Sequence, residues 1–183
     1  MKILKQILLL VSALAIIGGQ AHALSLTPAT MPQMTGVETG VPHIIDEILD
    51  NYGIDLAGTE LYKQNVGEAS DSGFFSASYT TTFSNTGSDP SDALIDYVGG
   101  DFITDPGYLL VKDGNQDPAW YLFDISTWNG TDDIDLTGFW PGNGAISHVS
   151  IYGGDPVPEP ATMLLFGIGL VGIAGLGRNR KKN

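Results

Sequence analysis

The chain has 183 residues, 21 acidic and eight basic side chains, and no cysteine, for a formal net charge of −13. The acidity argues against nucleic-acid binding, and the lack of cysteine excludes disulfides, thiol catalysis and cysteine metal sites. Between Leu24 and Val157 lie 20 of the acids but only two lysines, a net charge of −18. Such a negative charge favours solubility and the binding of divalent cations.

The N-terminus has the layout of a secretory signal peptide. Lys2 and Lys5 form a basic start, an apolar run covers residues 7–19, and the small residues Ala21 and Ala23 follow. A signal peptidase requires small side chains at these two places, so we expect cleavage after Ala23. The apolar run is shorter than the roughly 20 residues of a membrane span, which disfavours a retained anchor.

The next segment, 24–41, contains Pro, Thr and Gly without periodicity and is predicted to be a loose arm. One soluble helix is predicted after it, starting near Pro42 and ending at Gly53. We expect it to cap a sheet, with Glu47 facing water. Its apolar residues recur at helical spacing: Ile44, Ile45, Ile48, Leu49 and Tyr52.

From Gly53 onward the chain is typical of short strands separated by turns, so residues 42–155 are predicted as one β-rich ectodomain with a short N-terminal helix. About seven strands spaced near ten residues favour an antiparallel β-sandwich or jelly roll. The predicted strands are 60–66, 73–85, 93–98, 108–112, 119–125, 137–140 and 145–152.

A predicted hairpin loop carries candidate calcium ligands at Asp113, Asn115 and Asp117. An EF-hand is rejected because Pro118 stands where that loop requires a glycine. A looser calcium site and an ordinary Asp/Asn turn without an ion both remain open, as they do for residues 131–135.

No catalytic constellation stands out in the ectodomain. His148 has Ser147 and Ser150 near it in sequence, but no Gly-x-Ser-x-Gly motif is present. We therefore predict a strand histidine that bonds to a neighbour. Acid pairs for glycoside cleavage gain no specificity from sequence, because carboxylates are abundant throughout.

Aromatic side chains are dense enough to stack on sugar rings or to fill a core. Trp120, within an apolar strand, is predicted to be core. Trp128, beside Asn129 and Gly130, is the best candidate for an exposed platform that contacts glycan.

The C-terminal segment, 156–183, begins with Pro158, Glu159 and Pro160. An uncharged stretch at 161–177 and a basic cluster at 178–183 follow. Seventeen helical residues cover roughly 26 Å, the short end of a membrane span. The basic cluster predicts a cytoplasmic C-terminus, with everything before Pro158 outside.

This order of Pro-Glu-Pro, apolar segment and basic end resembles the PEP-CTERM sorting signal of Gram-negative bacteria. The resemblance implies recognition of Pro158, Glu159 and Pro160 by an exosortase-type enzyme and removal of the tail. It also implies delivery to the cell surface or extracellular matrix, in company with exopolysaccharide and biofilm production. The block 108–153 is similar to a recurrent ectodomain of these proteins. This similarity implies no particular activity.

The sequence therefore predicts a protein exported through the inner membrane, held there transiently by its C-terminal helix and then released to the surface. The expected partners are signal peptidase, an exosortase-type enzyme and exopolysaccharide, without nucleic acid. We expect a non-enzymatic structural or glycan-binding component with no cofactor, calcium being the one candidate ion. The alternative is a secreted hydrolase that acts on polysaccharide.

Overall fold

A computed structural model describes residues 23–31, 33–85, 89–114, 116–141 and 144–154. These residues form nine strands and one helix, so the predicted mostly-β class is confirmed. In chain order the elements are β1 Leu24–Leu26, β2 Gln33–Gly36, α1 Val41–Tyr52, β3 Glu60–Asn65, β4 Tyr79–Ser84, β5 Asp92–Tyr97, β6 Pro106–Lys112, β7 Trp120–Asp124, β8 Ile134–Leu136 and β9 His148–Gly153.

The strands form two sheets. The four-stranded sheet has the order β1-β8-β5-β4, and the five-stranded sheet has the order β2-β7-β6-β9-β3. All pairs of neighbouring strands are antiparallel except β1 and β8, which run parallel. Strand β9 therefore lies inside its sheet, between β6 and β3, whereas β1 lies at an edge.

One apolar core joins the two sheets. Alternate side chains point to one face of a strand, and here those of both sheets meet in a single buried cluster. Ile95 and Ile134 come from the four-stranded sheet, and Leu109, Val111 and Ile151 come from the five-stranded sheet.

The helix α1 covers the outer face of the five-stranded sheet. Ile44 and Ile48 are fully buried there against Leu110 and Trp120. The helix ends at Gly53, whose left-handed conformation (φ 72°) lets its N–H bond to the Leu49 carbonyl at 2.9 Å. The predicted helix and its role as a cap on a sheet are confirmed.

Glu47 does not simply face water, as the sequence predicted. It is half-buried, and its Oε2 accepts a hydrogen bond from the Trp120 indole N–H at 2.9 Å. The backbone N–H groups of Val37 and Glu38 donate to the same carboxylate at 3.3 and 3.1 Å. This carboxylate therefore links the helix, the sheet and the segment before the helix.

The predicted loose arm at 24–41 is wrong. Residues Leu24–Leu26 pair with β8, and residues Gln33–Gly36 pair with β7, so this segment contributes a strand to each sheet. The predicted strand at 137–140 is also misplaced, because the strand of that region is Ile134–Leu136.

The outer face of the four-stranded sheet is polar, and within the described residues no helix covers it. We call it the open face. Because side chains alternate between the two faces of a strand, this face carries the residues that lie between the buried ones. Its members are Thr80, Thr82, Leu94, Asp96 and Asp135, all exposed or half-buried.

Candidate functional site

Trp128 lies in a cleft of about 450 Å³ rather than on an exposed platform. Its side chain is 7 % exposed, and its ring centroid lies 5.9 Å from that of Tyr79, which belongs to the core. Its indole N–H donates to the Asp132 carbonyl at 2.8 Å. The expected exposure of Trp128 is therefore wrong, because a strand distant in sequence supplies the ring that buries it. The cleft is lined by Ala23, Leu24, Ser25, Thr127, Trp128, Asn129 and Asp132.

The polar rim of this cleft is a turn that Asn129 organises. Its Oδ1 accepts hydrogen bonds from the N–H groups of Thr131 at 2.9 Å and Asp132 at 2.8 Å. Gly130 follows with a φ of 80°, and its Cα lies too close to the Ile103 carbonyl to carry a side chain. The Asp/Asn-rich sequence of residues 129–133 is thus partly explained by backbone hydrogen bonding.

The hairpin loop between β6 and β7 lies where the sequence predicted it. Its two described aspartates differ in burial. Asp113 is buried (2 % exposed), and its carboxylate accepts from the N–H groups of Gln116 at 3.2 Å and Ala145 at 2.5 Å. Asp117 is exposed, and Asn115 lies outside the described residues. Within the described residues no group of three or more acids or histidines could hold a metal ion. Calcium binding by this loop stays a hypothesis.

His148 is a buried residue of β9, 5 % exposed. Its Nδ1 lies 3.5 Å from the Ser147 hydroxyl, while its Nε2 has no hydrogen-bond partner among the described residues. Burial, followed by the nearby charges of Lys63 and Lys112, lowers its pKa to about 3. The side chain is therefore neutral at physiological pH.

The fold brings the two lysines of this region together around His148, which the sequence analysis missed. Lys112 pairs directly opposite His148 on β6, and Lys63 lies on β3, the other neighbour of β9. The Lys112 ammonium is buried and donates to the Asp113 carbonyl at 2.6 Å. Burial lowers the pKa of Lys112 against the opposing effect of the Asp113 charge, and the nearby Lys63 charge adds a smaller lowering. Only strand pairing reveals this cluster.

Two carboxyl groups elsewhere are perturbed by their surroundings. Burial and then the Asp133 charge raise the pKa of Asp96. Burial also raises the pKa of Asp71, against the opposing effect of a 3.0 Å hydrogen bond from the Tyr62 hydroxyl. The pairing of β5 with β8 brings Asp96 near Asp133, so sequence spacing could not have identified the pair.

The chain leaves the ectodomain directly from the end of β9. The Gly153 N–H donates to the Thr59 carbonyl and the Gly154 N–H to the Asp105 carbonyl, each at 3.1 Å. Three residues of the sequence separate Gly154 from Pro158, the first residue of the predicted Pro-Glu-Pro element. The described structure ends at Gly154, and residues 155–183 lie outside it.

A comparison with protein families matches residues 156–181 to the PEP-CTERM protein-sorting motif. The chain carries a PEP-CTERM sorting motif. This confirms the resemblance seen in the sequence, and it marks the chain as an exported protein that an exosortase-type enzyme sorts to the cell surface. Comparisons with curated proteins and with solved structures found no match.

The residues predicted to act in processing fall mostly outside the described structure. These include Ala21, the Pro158, Glu159 and Pro160 of the PEP-CTERM motif, and the apolar segment 161–177. Ala23 is described and is exposed. Within the described residues, no helix has the length and apolar character needed to cross a membrane.

Proposed function

We propose that this PEP-CTERM protein is a non-enzymatic component of the extracellular matrix, whose ectodomain contacts exopolysaccharide after its tail is removed. The observation that carries the proposal is the sorting motif, which follows the last strand of a folded, strongly acidic domain. In this proposal the segment 161–177 holds the protein in the inner membrane until the exosortase-type enzyme acts.

The Trp128 cleft supports glycan as the ligand class. An aromatic edge beside hydroxyl, amide and carboxylate groups suits a sugar, which has apolar ring faces and many hydroxyl groups. The cleft combines Trp128 with Thr127, Asn129 and Asp132 in about 450 Å³, enough volume for a small part of a polysaccharide chain.

The sorting part of the proposal is tested in the full chain by the double substitution Pro158→Ala and Glu159→Ala. We expect the tail to remain attached and the protein to stay in the membrane fraction. Asp155→Ala, just outside the matched residues 156–181, is the control and should be processed normally. Unchanged tail removal and surface delivery in the double variant would overturn the role of these residues.

The glycan part is tested on the processed protein released from the cell surface, applied to a glycan array with and without calcium. Thr127 is exposed at the rim of the cleft, so Thr127→Arg should block access and abolish binding. Thr137→Arg changes an exposed residue outside the cleft and should bind normally. Absence of binding by the wild-type protein would leave a purely structural role.

The alternative of a polysaccharide hydrolase has one observation in its favour. Asp96 and Asp133 interact, and the raised pKa of Asp96 is the property that a general acid needs. Incubation with matrix polysaccharide should then release reducing ends, and Asp96→Asn should stop the release. If wild-type protein releases none, the non-enzymatic proposal stands.

A further inference from the structure

The predicted cleavage site adjoins the first residue of the folded domain. Leu24 begins β1, and its backbone N–H donates to the Asp133 carbonyl at 2.7 Å. From Leu24 the strand runs parallel to β8 for three residues, pairing Leu24 with Ile134 and Leu26 with Leu136. The nitrogen that cleavage after Ala23 would release is therefore the nitrogen that makes the first hydrogen bond of this edge strand.

Cleavage by the signal peptidase and the pairing of β1 with β8 both need the main-chain hydrogen-bonding groups at Leu24. Peptidases commonly hold the chain on both sides of the cut bond in an extended form, through main-chain hydrogen bonds of the kind that a sheet edge makes. With Leu24 already bonded to Asp133, that backbone is occupied by β8. Cleavage therefore has to come first, and β1 docks as part of the released domain.

Cleavage also changes the charge at this position. Hydrolysis gives the hydroxyl of water to the Ala23 carbonyl carbon and a hydrogen to the Leu24 nitrogen. The new α-amine has an ordinary pKa of about 7.7–8.0, so it takes a further proton at neutral pH. An uncharged amide with one N–H becomes an ammonium with three, of which one suffices for the Asp133 carbonyl.

The surroundings of Leu24 are acidic. Asp132 lines the same cleft as Leu24, and Asp133 supplies the carbonyl that Leu24 contacts. Asp96, on β5, interacts with Asp133, and Asp135 pairs with Ser25 on the next rung of the strand. The lysines of the ectodomain, Lys63 and Lys112, lie on the other sheet. A cation at Leu24 would thus lie at an acidic sheet edge, beside Asp132 in the cleft and at the backbone of Asp133, on the sheet that carries neither lysine.

We propose that removal of the signal peptide completes the fold, because the α-ammonium it creates on Leu24 binds β1 to the acidic corner formed by Asp132 and Asp133. The proposal rests on cleavage after Ala23 and is independent of glycan binding. It makes the mature domain more stable than the same domain with its signal peptide attached. Processing then serves folding as well as export.

The test uses the processed protein, after mass spectrometry of its N-terminus. Acetylation of the α-amine at pH 6.5, where lysines stay protonated, removes the new charge. The matched control is reductive methylation of the α-amine, which retains the charge. At pH 7 we expect the acetylated protein to melt about 3 °C below the methylated and the unmodified protein. Equal melting temperatures for the acetylated and methylated forms would overturn the proposal, as would an N-terminus other than Leu24.

Two further measurements distinguish a charge effect from a steric one. The carboxylates are expected to raise the pKa of the bound ammonium above its unfolded value of about 7.7–8.0, so its stabilisation is present below that value and is lost as the pH rises through the folded pKa. The melting difference between unmodified and acetylated protein should disappear over that range. Asp133→Asn should reduce the difference at pH 7, while Asp101→Asn, an exposed residue of the β5–β6 connection, should leave it unchanged. A difference that persists at high pH and in Asp133→Asn would contradict a role for the charge.

Discussion

The outer faces of the two sheets differ in burial: one is covered by the helix α1, and the other is solvated. The five-stranded sheet presents Leu110, Trp120, Leu122 and Tyr152 to α1, and all four are buried. We call this the covered face. The open face of the four-stranded sheet presents mostly threonine and aspartate, with the half-buried Leu94, at the equivalent alternate positions. The same strand geometry therefore gives a buried layer or a solvated one, according to which residue types alternate.

The two faces also differ in their titratable groups. By alternation with Tyr152, His148 points to the same side as the covered face, where burial keeps it neutral. Asp96 belongs to the open face, where its charge is only partly screened from Asp133. Acid should therefore destabilise the domain through His148 and relieve repulsion through Asp96. The substitutions below test this contrast, from the largest expected effect to the smallest.

Truncation of the helix contact should have the largest effect. Ile48→Ala removes a fully buried side chain between α1 and the covered face and leaves a cavity, at a cost of about 2–5 kcal/mol in the free energy of unfolding. Leu49→Ala, the exposed neighbour on the same helix, should cost less than about 1 kcal/mol. Urea unfolding measures both. Equal losses would mean that the helix does not depend on its apolar face.

His148 should make the domain sensitive to acid. Its pKa is about 6.5 when unfolded and about 3 when folded, so the unfolded chain binds more protons between these values. The stability it contributes is present above pH 6.5 and falls as the pH drops toward 3, by roughly 3–4 kcal/mol. His148→Gln should flatten this part of the pH profile. An unchanged slope in urea unfolding between pH 6.5 and 4 would exclude His148 as its source.

Loss of the Glu47 carboxylate should lower the free energy of unfolding by an intermediate amount. Glu47→Ala leaves the Trp120 indole N–H and the backbone N–H groups of Val37 and Glu38 without their acceptor, at about 1.5–3 kcal/mol. Asp46→Ala, exposed on the same helix, is the control and should change stability by less than about 0.5 kcal/mol. Thermal unfolding followed by tryptophan fluorescence reports on both. If the two variants unfold alike, the contact between Glu47 and Trp120 contributes nothing.

A substitution on the open face should change the free energy of unfolding least, and it should stabilise the domain instead of destabilising it. Asp96→Asn removes a carboxylate that burial and Asp133 disfavour in the folded state, so it should stabilise the domain by less than about 1 kcal/mol at pH 7. The gain should vanish in acid, where the native Asp96 is protonated anyway. Asp117→Asn, in the exposed hairpin loop, controls for the lowered net charge. A loss of stability in Asp96→Asn would show that its charge has a favourable partner.

Local signals in the sequence predicted the elements that depend on local residues. The helix α1 was found because its apolar spacing and Gly53 mark it without reference to the rest of the chain. The PEP-CTERM motif was found for the same reason, since it is a linear pattern. Strand β1 was missed because it has only three residues, and its partner β8 lies more than a hundred positions away.

The candidate sites show the same limit. The Asn129-Gly130 turn correctly indicates a polar loop, but the burial of Trp128 depends on Tyr79, which no local pattern connects to it. The grouping of Lys63, Lys112 and His148 follows from the order β6-β9-β3 and has no counterpart in sequence spacing. The geometry of a site thus required the strand pairing, whereas its residue types did not.

The position of β9 has a mechanical consequence. A pull on the C-terminal tail acts along β9, which is paired on both sides, with β6 and with β3. Such a force has to shear two ladders of hydrogen bonds at once, which is harder than peeling a strand from an edge. A domain tethered at this end while matrix or flow drags on it would hold its shape under load. Attached through β1 instead, an edge strand of three residues, it would unzip from that strand first.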